Sequence, residues 1–234
     1  MIGGKRILAI VPARKGSKRL KNKNILPLAN KPLIAWTLDA ANQSKYIDNV
    51  FVSTDSQLIA DIAITYKTMC PFLRPDELSD DTATTNDVIS HVIQYLENNN
   101  DFYDYIILLQ PTSPLRTTDD IDASIDKIYK KNKDTLVSLS RCEHSPLLIN
   151  VLPEDESLKG FLKEENNIRS QDLPTYYRIN GAIYIFKRSY VGKLSNIYND
   201  KGVAFISAAG SDVDIDNLQD FEYAEYLINK KPSR

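Results

Sequence analysis

The chain has 234 residues, of which 42% are hydrophobic and 26% are charged, as is typical of one large globular domain. No apolar run approaches the ~20 residues that span a bilayer, and no signal peptide is evident, so we expect a cytoplasmic protein with no membrane partner. The net charge of -2 argues against a nucleic-acid partner, and two cysteines without metal-ligand spacing indicate neither a disulfide framework nor a zinc site.

Short β-rich runs alternate with helical patterns along the chain. This rhythm predicts an α/β fold, a Rossmann-like three-layer sandwich with a mainly parallel central sheet. Continuous apolar runs or β-rich segments predict strands at 7–11, 49–53, 105–109, 135–140, 180–187 and 203–207. Helical periodicity predicts helices at 32–43, 84–97 and 217–229, with two more following Thr54-Asp55 and Thr118, which we expect to act as their caps.

Residues 143–178 interrupt this rhythm. They lack clear periodicity and contain Pro146, Pro153 and Pro174. We interpret them as an excursion from a single domain that covers residues 1–234. Ligands of such sheets bind beyond the carboxyl ends of the strands, which directs attention to the loops at 12–24, 110–116 and 211–217.

Charge is distributed unevenly between the two ends of the chain. Residues 1–38 contain nine Lys or Arg and no acid, whereas residues 202–229 contain six acids and no Lys or Arg. This division indicates two poles that meet over one anionic ligand.

A basic loop follows the first predicted strand. It combines Gly16 and Ser17, which permit a close backbone approach, with six cations: Arg14, Lys15, Lys18, Arg19, Lys21 and Lys23. Such a loop suits a polyphosphate, and it has neither the Walker nor the dinucleotide glycine spacing. The alternatives are a solvated basic loop or an RNA-binding patch, although the loop has no interleaved aromatic residues.

The acidic segment near the other end is Asp212-Val213-Asp214-Ile215-Asp216. In an extended chain this alternation places three carboxylates on one face and two apolar side chains on the other. Neighbouring carboxylates suit Mg²⁺, whereas an EF-hand is excluded because Asn217 and Tyr223 stand where its Gly and Glu belong. The alternative is a solvated edge strand with helix-capping acids. A polyphosphate loop combined with a carboxylate pair indicates metal-assisted attack on a nucleoside triphosphate.

With these motifs the chain resembles the acylneuraminate cytidylyltransferase family, which includes the CMP-sialic acid and CMP-legionaminic acid synthetases. The resemblance extends over nearly the whole chain. It rests on the following segments: Pro12–Lys18 with Lys23-Asn24, Val52–Asp55, Leu73–Pro75, Leu109–Arg116, Glu143–Pro146, Gln171–Pro174, Asn180–Ile185 and Asp214–Asp216.

The resemblance implies a nucleotide site for CTP. Arg14, Lys23 and Asn24 would bind the nucleotide, with Arg14 and Lys23 also assisting the transfer. Lys18 would lie near the phosphates. The cytidine part would be held by two further residues, Arg74 and Thr85.

The resemblance also implies a metal pair and a site for an acidic nine-carbon sugar. Asp214 and Asp216 would bind Mg²⁺, and Asp216 would also help to deprotonate the sugar hydroxyl. Gln110 and Tyr184 would contact the sugar. In a homodimer, the 143–178 excursion would reach into the partner's site, with Arg169 facing the sugar carboxylate.

Four positions depart from the family pattern where the sugar is chosen: Arg19, Leu148, Arg169 and Ile179. A legionaminic-type sugar therefore fits about as well as a sialic acid. Two alternative functions remain: activation of the eight-carbon sugar KDO, and a non-catalytic nucleotide-sugar-binding role. Retention of both Asp214 and Asp216 speaks against the second alternative.

Overall fold

A six-stranded sheet forms the centre of the chain, of which the structure, a computed structural model, describes residues 1–16, 19–208 and 210–230. Its strands are β1 (Ile7–Pro12), β4 (Asn49–Ser53), β5 (Tyr105–Leu108), β6 (Thr135–Arg141), β7 (Tyr177–Lys187) and β8 (Gly202–Ile206). A separate small hairpin joins β2 (Pro27–Leu28) to β3 (Lys31–Pro32).

The sheet has the order β4-β1-β5-β7-β6-β8. Five of these strands share one direction, and β7 runs antiparallel between β5 and β6. The mainly parallel sheet that we predicted is therefore confirmed. The reversed strand places Tyr184 beside Leu108, at the end of β5 from which the 110–116 loop departs.

Helices cover both faces of the sheet and complete the three layers. They are α1 (Leu33–Asn42), α2 (Gln57–Thr65), α3 (Thr85–Asn98), α4 (Thr118–Lys130) and α5 (Leu218–Lys230). Strand β1 is apolar on both faces of the sheet, so helices must cover both faces. Its residues Ile7, Ala9 and Val11 face one hydrophobic core, and Leu8 and Ile10 face the other. Helices α1, α2 and α4 pack on the first core and α3 packs on the second.

Two of the predicted helix caps are wrong. Helix α2 begins after Ser56 rather than Thr54-Asp55, because the Asp55 carboxylate accepts the Lys15 backbone N–H (2.7 Å) instead. Helix α4 is capped by Thr117, one residue before the predicted Thr118. The Thr117 side chain and Asp120 form a reciprocal capping box there.

The 143–178 excursion leaves and re-enters the sheet between β6 and β7. It is closed at its base by a hydrogen bond from the Cys142 N–H to the Tyr176 carbonyl oxygen (2.8 Å). Its structure consists of loops and short 3₁₀ turns, and several of its apolar side chains are exposed. Throughout the described ranges, no helix combines the length and the apolar character needed to cross a bilayer.

Candidate active site

A cleft of about 460 Å³ lies at the carboxyl ends of β1 and β5. The basic loop and the acidic segment, which are nearly two hundred residues apart in the chain, form opposite walls of this cleft. Its lining comprises Pro12, Arg14, Gly16, Arg19, Leu20, Lys23, Asn24, Gln110, Pro111, Thr112, Asp214 and Asp216. The two charged poles of the sequence therefore share one cavity.

Lys23 is the buried cation of this cleft, with a side chain only 12% exposed. Its ammonium donates to the Ile215 carbonyl oxygen and lies 3.7 Å from Asp216 Oδ1. Burial lowers the pKa of Lys23, and the Asp216 and Asp214 carboxylates oppose that shift. A buried cation of this kind suits a multiply charged anion, whose binding would compensate its lost hydration.

Asp216 also binds a second cation, Arg19. The Arg19 guanidinium lies 2.6 Å from Asp216 Oδ2, and both side chains are largely exposed. Arg19 is one of the six cations of the basic loop, but nothing in the sequence predicted its pairing with Asp216. Only the tertiary structure brings it to the carboxylate.

The acidic segment is anchored from behind by Ile215. This residue is fully buried, and its N–H donates to the Thr112 carbonyl oxygen (2.8 Å) in the 110–116 loop. The predicted alternation therefore exposes Asp214 and Asp216 to the cleft. Asp212 does not line the cleft: it pairs with Arg178 (2.8 Å) and lines a neighbouring cavity of about 930 Å³, which Asp214 also lines.

A smaller cavity of about 260 Å³ adjoins the cleft along Pro12 and Arg14. Arg74 and Thr85, the predicted cytidine contacts, both line it. Arg74 is buried and donates through Nε to Ser79 Oγ (3.1 Å), and its burial lowers its pKa. Two nucleotide-site predictions thus fall in one small cavity next to the basic loop.

Arg14 lies between these two cavities. Its side chain donates to Asp81 Oδ1 (3.0 Å), and its carbonyl oxygen accepts from Asn24 Nδ2 (3.1 Å). Asn24 is buried and lines the cleft. Its hydrogen bond to Arg14 also supports the backbone of the basic loop. Lys18, the remaining predicted phosphate contact, lies outside the described residues.

The predicted sugar contacts Gln110 and Tyr184 meet in a third cavity of about 190 Å³, which Thr85 also lines. Burial, followed by the influence of Tyr198 and Asp214, raises the pKa of Tyr184 to about 12. Its phenol therefore stays protonated at neutral pH and can donate a hydrogen bond. Arg169 is exposed on the excursion and, within the part of the chain that the structure describes, lines none of these cavities.

This α/β sheet, with a basic loop and two carboxylates sharing a cleft at its strand ends, defines a nucleotidyltransferase. A family profile described as "Cytidylyltransferase" matches residues 8–231. The chain therefore belongs to the cytidylyltransferase family, as the resemblance of its motifs predicted.

Named relatives agree with this assignment. The chain is 36% identical over 228 residues to the CMP-N,N'-diacetyllegionaminic acid synthase of Legionella pneumophila, covering 95% of this chain and 96% of the relative. It is 34% identical over 228 residues to the N-acylneuraminate cytidylyltransferase of Escherichia coli, covering 97% of this chain and 53% of the longer relative.

The fold also agrees with a solved structure, that of a CMP:2-keto-3-deoxy-manno-octonic acid synthetase complexed with CTP. The TM-score is 0.70 over 97% of this chain and 100% of the other, at 15% identity. At this identity the likeness concerns the fold alone. It confirms the predicted Rossmann-like class.

Proposed function

We propose that this chain transfers the cytidylyl group of CTP to a nonulosonic acid of the neuraminic or legionaminic type, releasing pyrophosphate. The observation that carries the proposal is the single cleft shared by Arg14, Lys23, Asp214 and Asp216 in a chain of the cytidylyltransferase family. The named relatives activate sugars of this class.

Asp214 and Asp216 would hold Mg²⁺ in this cleft. Both carboxylates are exposed to it, and the described residues contain no cluster of three or more His, Cys, Asp or Glu that could enclose an ion. This sparse donor set fits Mg²⁺, which usually takes one or two carboxylates and completes its shell with phosphate oxygens and water. When bound, the ion would neutralise charge on the triphosphate and on the leaving pyrophosphate.

The protein side chains divide the remaining work. Arg14 and Lys23, together with Lys18, bind the phosphates, while Arg74 and Thr85 hold the cytidine. Asp216 takes the proton of the sugar's anomeric hydroxyl as that oxygen attacks the α-phosphorus. Holding the reactants in line supplies much of the acceleration, and no covalent intermediate is required.

Gln110 and Tyr184 contact the acceptor sugar from the other side of the cleft. Both line the third cavity, which opens beside Thr85 and so adjoins the nucleotide site. The Tyr184 phenol would donate a hydrogen bond there, since a tyrosine is protonated at neutral pH and burial raises its pKa further, to about 12. This arrangement supports an acceptor position between the cytidine and the carboxylate pair.

The active form is a homodimer in the cytoplasm, where CTP is available, and each chain acts as one domain over residues 1–234. The 143–178 excursion would bind the partner and bring Arg169 to the partner's sugar carboxylate. Its exposed apolar side chains support this role, since Ile149, Val151 and Leu158 are 66%, 86% and 72% exposed.

The test is pyrophosphate release from CTP and Mg²⁺ with a panel of sialic, legionaminic and pseudaminic acids, with KDO as the eight-carbon comparison. We expect release with at least one nine-carbon acid at a higher kcat/KM than with KDO. Preference for KDO would favour the eight-carbon alternative. Binding of CTP without turnover of any acceptor would favour the non-catalytic role.

A further inference from the structure

Arg116 is a buried cation outside the cleft lining. Its residue is 4% exposed, and burial lowers its pKa to about 9. Its three hydrogen bonds all go to neutral oxygens: NH1 donates to the carbonyls of Gln110 (3.1 Å) and Ala182 (2.8 Å), and NH2 donates to Thr37 Oγ1 (2.6 Å). Burial of an unpaired guanidinium is costly, and so it calls for a role that hydrophobic packing would not serve.

The partners of Arg116 belong to three different elements. Gln110 is in the loop after β5, Ala182 is in β7, and Thr37 is in α1. The planar guanidinium presents five donors in a rigid fork, whereas the ammonium of a lysine has three rotatable donors on one nitrogen. Arg116 therefore holds the loop, the reversed strand and the helix in one arrangement.

Gln110 is confined from its other side by Gly181. This glycine has φ +76°, and a Cβ atom there would lie 2.7 Å from Gln110 Oε1. The absent side chain thus leaves the space that the Gln110 amide occupies. The Arg116 guanidinium donates to the main-chain carbonyl of Gln110 and to that of Ala182, which follows Gly181. It therefore fixes the backbone on both sides of the Gln110 side-chain amide.

We propose that Arg116 is a positioning residue for the acceptor sugar: it holds the Gln110 amide at the cleft by bonding both Gln110 and Ala182. The inference rests on the proposed function, in which Gln110 contacts the sugar. The same loop accepts the Ile215 N–H at Thr112, so Arg116 also keeps Gln110 in register with the carboxylate pair.

The test is the variant Arg116→Lys, measured with the best acceptor of the wild-type protein. We expect the acceptor KM to rise about tenfold or more, the scale of losing a hydrogen bond to a charged group, while the KM for CTP changes less than about twofold. In a Gln110→Ala background, where the acceptor KM is already raised, Arg116→Lys should add little. This non-additivity is what a merely structural role would not produce.

Arg188→Lys is the matched control, because Arg188 pairs with Glu97 beyond the opposite end of β7. It should leave both KM values unchanged. Equal rises in the two KM values, additive effects in the double variant, or an unchanged acceptor KM in Gln110→Ala would each overturn the inference.

If Arg116→Lys fails to fold, Thr37→Val decides, since it removes one support of the guanidinium at nearly constant volume. A smaller rise confined to the acceptor KM supports the inference, and unchanged kinetics overturn it. Absence of turnover in the wild-type protein would instead count against the proposed function.

Discussion

The Asp216 carboxylate meets two cations that lie in very different environments. Arg19 is 71% exposed, so its ion pair contributes little stability, whereas Lys23 is 12% exposed. Arg19 can therefore leave the carboxylate for phosphate oxygens at little cost in stability. Separating the buried Lys23 from the carboxylate costs more unless an anion takes its place.

Asp216→Asn should abolish most of the turnover and leave the fold intact. Because the variant loses both a metal ligand and the proton acceptor, kcat should fall by about 10²- to 10⁴-fold, the range for losing a general base. Pyrophosphate release measures this loss, and thermal unfolding checks the fold. Asp212→Asn is the control from the same segment, since Asp212 pairs with Arg178 and does not line the cleft. A wild-type rate for Asp216→Asn would contradict the assignment of Asp216.

Lys23→Met should impair catalysis without lowering stability. The folded state lowers the pKa of Lys23, so the cost of its buried charge is fully present at any pH below the lowered pKa and is relieved as the pH rises from that pKa towards the unfolded one. Removing the charge should leave Tm equal or higher, while kcat/KM falls about a hundredfold. Calorimetry and steady-state kinetics measure the two effects. A clear drop in Tm would show that the ammonium stabilises the fold.

Local patterns in the sequence indicated the charged residues that line the cleft but not Arg116 beside it. Arg14 and Asp214 stand out because their charge clusters adjoin a buried strand and an apolar alternation. Arg116 has no such signal, since its burial depends on three elements that meet only in the folded chain. The sequence pattern placed Asp212 with the other two carboxylates. It does not show the pairing of Asp212 with Arg178, because Arg178 is remote in sequence.

At the scale of elements, two helices begin with the same device. Thr84 with Asp87 at α3, and Thr117 with Asp120 at α4, each form a reciprocal capping box. The N-terminus of α3 carries Thr85 into the small cavity beside Arg74. Capping of α3 therefore supports the proposed nucleotide site, whereas α4 does not line that cavity.

Thr84→Ala should cost about 1 kcal/mol of stability, the usual value for a lost N-cap, and should raise the KM for CTP. For a chain of this size the loss corresponds to a fall in Tm of about 2–4 °C. Thr117→Ala is the matched control and should lose similar stability with an unchanged KM for CTP. An equal change in that KM for both variants would mean that general loosening, and not the position of Thr85, is responsible.

Helices and strands with clear apolar patterns were predicted within one to three residues at each end. The five apolar residues of the α3 stripe are all buried, as expected: Val88, Ile89, Val92, Ile93 and Leu96. The direction of β7 could not be predicted in this way, because a buried strand reads alike in either direction. The β2–β3 hairpin was also missed, since strands of two residues carry no periodic signal.

For the whole molecule, the excursion is the segment through which we propose that two chains associate. Several of its apolar side chains are exposed, which is typical of an interaction surface. A second copy of the chain would cover them and would also supply Arg169 to a site that it does not reach alone. In this proposal the sugar site is complete only in the dimer, because the partner chain supplies Arg169.

The wild-type protein should sediment as a dimer, and the double variant Ile149→Asp, Val151→Asp as a monomer, because two carboxylates would have to be buried in the interface. The monomer should keep its affinity for CTP but show a higher acceptor KM. Leu58→Asp is the control: Leu58 is a similarly exposed apolar residue on α2, and its variant should remain dimeric. A monomeric wild-type protein with full activity would contradict this role of the excursion.

The reversal of β7 has a consequence for how such an enzyme could change its acceptor. Since β6 runs with β1, the chain leaves β6 at the cleft edge and returns into β7 from that same edge. A segment grafted between these strands would therefore enter beside the proposed acceptor site, while the loop after β1, the proposed nucleotide site, would stay as it was. If the acceptor binds there, exchange of this one insert between relatives would alter sugar preference on a constant cytidylyltransferase frame.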